Sequence, residues 1–208
     1  MQNLLNTIEL LKNSPISELI SQRLHEFKRL RHGSINSIFK EMCFCIMTAN
    51  CSAKMCIEVH ETIDNGFLTL SEDQLVQEFK DKKYRFPNVR AKYILEARKL
   101  KEDLDLMIKE NTGTNNLRDW LVKNVKGLGY KEASHFLRNI GYTDFAIIDF
   151  HIIDTLVKFN IIEKPKTLTK KKYLEIETIL RTIGNKLNLN LGELDLFLWY
   201  YETGKVLK

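Results

Sequence analysis

Lys131 and Asp149, eighteen positions apart, are the residues of this chain best suited to covalent chemistry. Lys131 follows a compact glycine turn in Val125-Lys126-Gly127-Leu128-Gly129-Tyr130-Lys131, and Asp149 interrupts the apolar run Ala146-Ile147-Ile148-Asp149-Phe150-His151-Ile152-Ile153. A carboxylate in so apolar a run needs a partner or a task, because burying charge is costly. A lysine amine beside a low-dielectric cleft can act as a nucleophile and form a Schiff base at an aldehydic carbon. A neighbouring aspartate stabilises positive charge developing on a sugar as a base departs, and it helps to move protons. Deoxyribose C1′ is an electrophile of that kind.

Gly127 and Gly129 flank one aliphatic residue, which permits a tight turn with outward-pointing amides. Amides at the start of a following helix form a phosphate site, so the turn can hold a nucleic-acid backbone. Plainer explanations exist for each residue. Lys131 in the first turn of a helix could be a phosphate contact or a solvated lysine. Asp149 could cap a helix beginning near Phe150. That role is compatible with catalysis, since a cap fixes the carboxylate's position.

The elements that must position these residues read as helices nearly throughout. Nine glycines and three prolines punctuate the chain, and no alternation of period two is sustained. The pattern predicts an all-α fold with helices near 2–12, 16–31, 34–50, 53–64, 71–80, 88–109, 116–124, 130–140, 150–159, 170–187 and 191–202. Ser71 with Gln74 forms a capping box, and Gly141 and Gly204 sit where helices should stop. At 208 residues and 44% hydrophobic, the chain can bury a real core as one compact protein or two small lobes. A net charge of +5 favours an acidic partner.

Cys43, Cys45, Cys51 and Cys56 cluster within one stretch but contain no C-x-x-C pair, which favours buried thiols over a metal site or disulfide. His25, His32, His60 and His135 lack partners at ligand spacing, so no metal site is expected. Lys170-Lys171-Lys172 and the charges over 99–109 read as solvated helix faces. The absence of a secretory signal and of a long uncharged apolar run points to an intracellular, cytoplasmic protein without a membrane partner.

Gly127-Leu128-Gly129-Tyr130-Lys131 together with Ile148-Asp149-Phe150-His151 resembles the helix-hairpin-helix DNA glycosylase superfamily. The segments Phe44–Asn50, Lys131–Asn139 and Thr203–Lys208 are similar to its archaeal 8-oxoguanine DNA glycosylase/AP lyase type. The resemblance implies two helical lobes, one over 36–142 containing the hairpin and one built from 1–35 plus 143–208, with the active-site cleft between them. It implies catalysis by Lys131 and Asp149 and DNA contacts from Gly127, Gly129 and His151, the last to a phosphate. Asn50, at the end of an apolar run, would read the base left behind in the duplex; its plainer role is a helix C-cap.

Phe86, beside Pro87 with Arg85 and Arg90 on either side, suits a wedge entering the base stack while arginines hold phosphates. Packing in a loop core is the alternative. Lys208, with its free carboxylate, would distinguish 8-oxoguanine by its N7–H donor, and Trp199 would wall the base pocket. The resemblance further implies a monovalent cation on hairpin carbonyls near Lys123, Val125 and Leu128. No redox or nucleotide cofactor is implied. No iron–sulfur cluster is expected either, because no cysteine follows Cys56. The expected partner is double-stranded DNA containing 8-oxoguanine, bound by a monomer associated with the nucleoid. Two alternatives remain: a related glycosylase/lyase for another damaged base, and a non-catalytic helix-hairpin-helix DNA-binding module needing neither Lys131 nor Asp149.

Overall fold

In the computed structural model, which describes residues 1–110 and 114–208, all regular structure is helical and no strand occurs among the described residues. In chain order the helices are α1 (Gln2–Lys12), α2 (Ile16–Arg31), α3 (Ile35–Thr48), α4 (Ala53–Ile63), α5 (Gly66–Thr69), α6 (Glu72–Asp81), α7 (Pro87–Arg98), α8 (Lys101–Lys109), α9 (Thr114–Asn124), α10 (Tyr130–Asn139), α11 (Phe150–Lys158), α12 (Lys170–Leu187) and α13 (Leu191–Thr203). None of the described helices is long and apolar enough to cross a membrane.

Side-chain caps set many of the starts. Ser34, Ser52, Ser71, Asp149, Thr169 and Asn190 each accept the amide three residues on, and Ser71–Gln74 and Asn190–Glu193 close full capping boxes. Each such cap contributes about 1 kcal/mol.

The chain divides into two compact units, Leu30–Phe136 and Met1–Arg29 with Leu137–Lys208. In the first unit α3 is the central element. Ile38, Phe39 and the whole run Glu41–Thr48 are buried, as a helix apolar on every side requires. It packs on α4, α5, α7 and α8. His60 belongs to this core: its Nε2 meets the Lys40 carbonyl at 2.9 Å, and its ring lies 5.6 Å from both Phe44 and Phe67.

In the second unit α13 plays the central part, buried from Leu194 to Leu198 and packed on α1, α11 and α12. The unit boundaries fall at 29/30 and 136/137 rather than 35/36 and 142/143. Arg138 explains the second shift, because its guanidinium pairs with Asp195 at 2.6 Å and lies 5.0 Å from the Phe27 ring, tying the end of α10 to α13 and α2.

The structure departs from the expected helices at three places. The helix expected over 88–109 breaks between Arg98 and Lys101, where the Arg98 guanidinium donates to the carbonyls of Phe67 and Leu70. Those carbonyls belong to or cap α5, a four-residue turn that no periodicity marks. The helix expected to reach Asn50 ends at Thr48, and Asn50 adopts a left-handed conformation with φ 58°.

Candidate active site

The hairpin joining α9 to α10 is built from buried aliphatics and two glycines. Val125 and Leu128 are buried, the Leu128 amide donates to the Val125 carbonyl at 3.2 Å, and Gly127 sits at φ +89°. A Cβ on Gly127 would lie 2.8 Å from Cδ2 of Tyr93, closer than any real side chain tolerates. Arg118 fastens the two helices, with its guanidinium 5.3 Å from the Tyr130 ring and Nη1 donating to Ser134 Oγ at 3.3 Å. The Tyr130 hydroxyl donates to Asp119.

The amide of Gly129 donates to Glu132 Oε2 at 3.2 Å. One of the amides expected to point outward toward a phosphate is therefore taken by the chain itself, in half of a capping box.

Lys131 occupies the first turn of α10, the end of a helix where a cation is electrostatically disfavoured. Its ammonium is 3.9 Å from Glu132 Oε1, and both side chains are largely withdrawn from solvent. The charge of Lys131 favours the thiolate of buried Cys56, against larger opposing effects. A hydrogen bond with Cys51, followed by burial, pushes the Cys56 thiol far above the usual range. The partner thiol, Cys51, is pulled down to about 7 mainly by that same hydrogen bond. All four cysteines are free thiols.

Asn50, Phe86 and Arg90 form one cluster in the same unit. Asn50 is exposed, its carbonyl accepting from Arg85 Nη1 at 3.4 Å. Phe86 is half-buried at the start of α7, with the Arg85 and Arg90 guanidinium carbons 4.9 and 5.6 Å from its ring centre. Arg90, expected to hold a phosphate, is only 8% exposed, and its Nη2 donates to the Ala49 carbonyl at 2.9 Å. Its guanidinium is thus engaged in holding the loop after α3, and Arg85 is the exposed cation here.

Asp149 belongs to the other unit, and the segment that delivers it is non-helical and buried. Its backbone polar groups find partners on α12: the Ala146 amide donates to Glu177 Oε2 at 3.0 Å, and the Tyr173 hydroxyl donates to the Ala146 carbonyl at 2.7 Å and accepts from the Ile148 amide at 3.2 Å. Asp149 then caps α11, its Oδ1 accepting from the Ile152 amide at 3.0 Å. His151 lies one residue into that helix, its ring 4.0 Å from Phe150 and 4.9 Å edge-on from Trp199. Trp199 is half-buried, and its buried indole nitrogen has no hydrogen-bond partner. The tail beyond α13 is pinned by buried Val206, leaving Lys208 half-buried.

The site residues therefore fall into two groups. Gly127, Gly129, Lys131, Asn50, Phe86 and Arg90 lie in one unit, and Asp149, His151, Trp199 and Lys208 lie in the other. Glu132, Tyr173 and Glu177 position these groups without having been singled out in the sequence. For Glu132 a signal existed, since it stands at the third helical position after Gly129. Tyr173 and Glu177 act across 25 to 31 residues, and nothing local announces them.

A family model described as 8-oxoguanine DNA glycosylase matches residues 20–189. A Korarchaeum cryptofilum protein named 8-oxoguanine DNA glycosylase/AP lyase is 50% identical over 209 residues, spanning 100% of this chain and 99% of the relative. The chain belongs to the 8-oxoguanine DNA glycosylase family. Two solved members share its fold. The Methanocaldococcus jannaschii glycosylase/lyase, determined in complex with a 15mer DNA containing 8-oxoguanine, superposes with a TM-score of 0.95 at 50% identity and 99% coverage of each chain. The Thermotoga maritima 8-oxoguanine DNA glycosylase gives a TM-score of 0.93 at 39% identity, covering 100% of this chain and 99% of that one. The α9–turn–α10 hairpin is thus the helix-hairpin-helix of this glycosylase fold.

Proposed function

We propose that this chain is a bifunctional DNA repair enzyme that excises 8-oxoguanine and nicks the strand at the resulting abasic site. The observation that carries the reading is full-length 50% identity to relatives named 8-oxoguanine DNA glycosylase/AP lyase. In the proposed reaction the Lys131 amine attacks C1′ as the glycosidic bond breaks, the bonding pair leaving with the base and the amine giving up its proton. Loss of a second proton from nitrogen as the sugar ring opens leaves a Schiff base, and removal of a C2′ proton then expels the 3′ phosphate by β-elimination. Asp149 stabilises the positive charge that develops at the sugar and assists the proton transfers.

The remaining assignments belong to the same reading. The hairpin backbone at Gly127 grips DNA, Gly129, whose amide Glu132 holds, shapes the turn, His151 contacts a phosphate, Asn50 meets the estranged base and Phe86 fills the gap in the stack. Lys208 and Trp199 recognise the lesion. Arg90 supports Phe86 and the Asn50 loop from within, a positioning role in place of the phosphate contact. A monovalent cation would rest on the carbonyls of Lys123, Val125 and Leu128. That of Val125, which accepts one amide, keeps a second lone pair for it, and the cation would supply charge toward a phosphate. The enzyme would act as a monomer on intracellular DNA.

Borohydride trapping on a duplex with one 8-oxoguanine opposite cytosine tests the reading. The parent chain should yield a covalent adduct. Lys131→Gln should yield none, while retaining most DNA binding. An adduct on abasic DNA alone would keep the lyase and reopen the choice of base. No adduct with any DNA would leave a binding module.

A further inference from the structure

Phe150 is 66% exposed, whereas in the same unit Phe27, Phe145 and Phe197 are buried and Phe159 is half-buried. Solvated phenylalanine is common at surfaces as a scattered event, but this ring is neither loose nor randomly placed. Its backbone starts α11 directly after the Asp149 cap, its ring centre lies 4.0 Å from that of His151 with a 35° tilt, and His151 in turn stands edge-on against Trp199 at 4.9 Å and 83°. The three aromatics form a ladder fixed at its inner end by Trp199 and bare at its outer end.

We propose that Phe150 is a stacking platform for an unstacked nucleobase of the bound DNA. This inference rests on the proposed function, which puts DNA beside Asp149. A protein partner would need a contiguous apolar patch, yet one turn beyond Phe150 the helix carries exposed Asp154. A base needs only one accessible aromatic face, and bases released from the helical stack offer such faces irrespective of sequence. Holding the ring in place before binding reduces the ordering cost on association.

The test uses the full chain in the Lys131→Gln background, so that binding is read without turnover. The substitutions are Phe150→Ala, Phe150→Leu and Phe150→Trp, titrated with a short duplex carrying one 8-oxoguanine. Because the ring is exposed, all three should unfold at the parent's temperature. Alanine and leucine should each weaken binding roughly ten-fold, the size of one lost base–aromatic stack. Tryptophan should retain affinity, and its added fluorescence should be quenched when DNA binds. Affinity within two-fold of the parent for alanine, full retention by leucine, or an unquenched tryptophan would each overturn the stack. Borohydride trapping with native Lys131 separates the two ideas: an adduct with the lesion duplex alongside any of those results removes the Phe150 role alone. Absence of that adduct removes the proposed function and the stack together.

Discussion

Asparagine caps helices as well as aspartate does, so Asp149→Asn keeps the bond to the Ile152 amide and removes only the charge. Thermal unfolding should be nearly unchanged, while excision of 8-oxoguanine should fall by roughly 10²-fold or more, the usual worth of a positioned acid–base group. Asp149→Ala should lose about 1 kcal/mol of stability besides. A fully active, stable Asp149→Asn variant would reduce this residue to its capping role. Cys51 offers a different reading of charge. Its thiol is pulled down to about 7 mainly by its hydrogen bond with Cys56, so the folded state favours the thiolate. That contribution to stability is complete above the unfolded thiol's pKa, near 8.5, and is lost as pH falls through about 7. Iodoacetamide at neutral pH should therefore label Cys51 ahead of Cys43, which is buried and whose thiol burial pushes upward. The checks are mass spectrometry of the labelled chain across pH 6–9 and loss of the early adduct in Cys51→Ser. The places of Lys131 at the start of a helix after the glycine turn and of Asp149 as a helix cap were legible from residue type and spacing. The fate of Arg90 was not, because its partner, the Ala49 carbonyl, lies 41 residues away.

At the level of elements, the hairpin depends on backbone that only one residue type accepts. Gly127→Ala places a methyl 2.8 Å from the Tyr93 ring at φ +89°. The left-handed conformation alone costs about 1–2 kcal/mol, so urea unfolding should show at least that loss, accompanied by weakened DNA binding. Gly129→Ala should be milder, since its Cβ would meet only the far end of Glu132 at 3.2 Å. Equal penalties at the two positions would contradict the geometry. Local grammar made most elements readable: the Ser71–Gln74 box, the Asp149 cap and the left-handed Gly204 stop are all settled within a few residues. The break between α7 and α8 and the short α5 escaped that grammar. Beside both, Arg98 satisfies carbonyls at Phe67 and Leu70, a contact that becomes visible only once the chain has folded back.

For the molecule as a whole, Arg138 is the residue that ties together the helices meeting in the second unit. It pairs with Asp195 at 2.6 Å with both side chains buried, and it donates to Asn139 Oδ1 through Nε and Nη2 at 3.0 and 2.8 Å. Its charge also faces the Phe27 ring, so one side chain links α10, α13 and α2. Two buried charges gain from their attraction only what desolvation leaves, and removing one strands the other. Arg138→Met should therefore cost about 3–5 kcal/mol, read as a lower urea midpoint at an unchanged slope. Combining it with Asp195→Leu removes the carboxylate that has lost this cation, and the double variant should recover much of that loss. If the pair is instead a net source of stability, the double variant will be no better than Arg138→Met. The same double variant also separates packing from catalysis, because neither residue is placed at the reacting atoms: once stability is restored, strand cleavage at 8-oxoguanine should return with it.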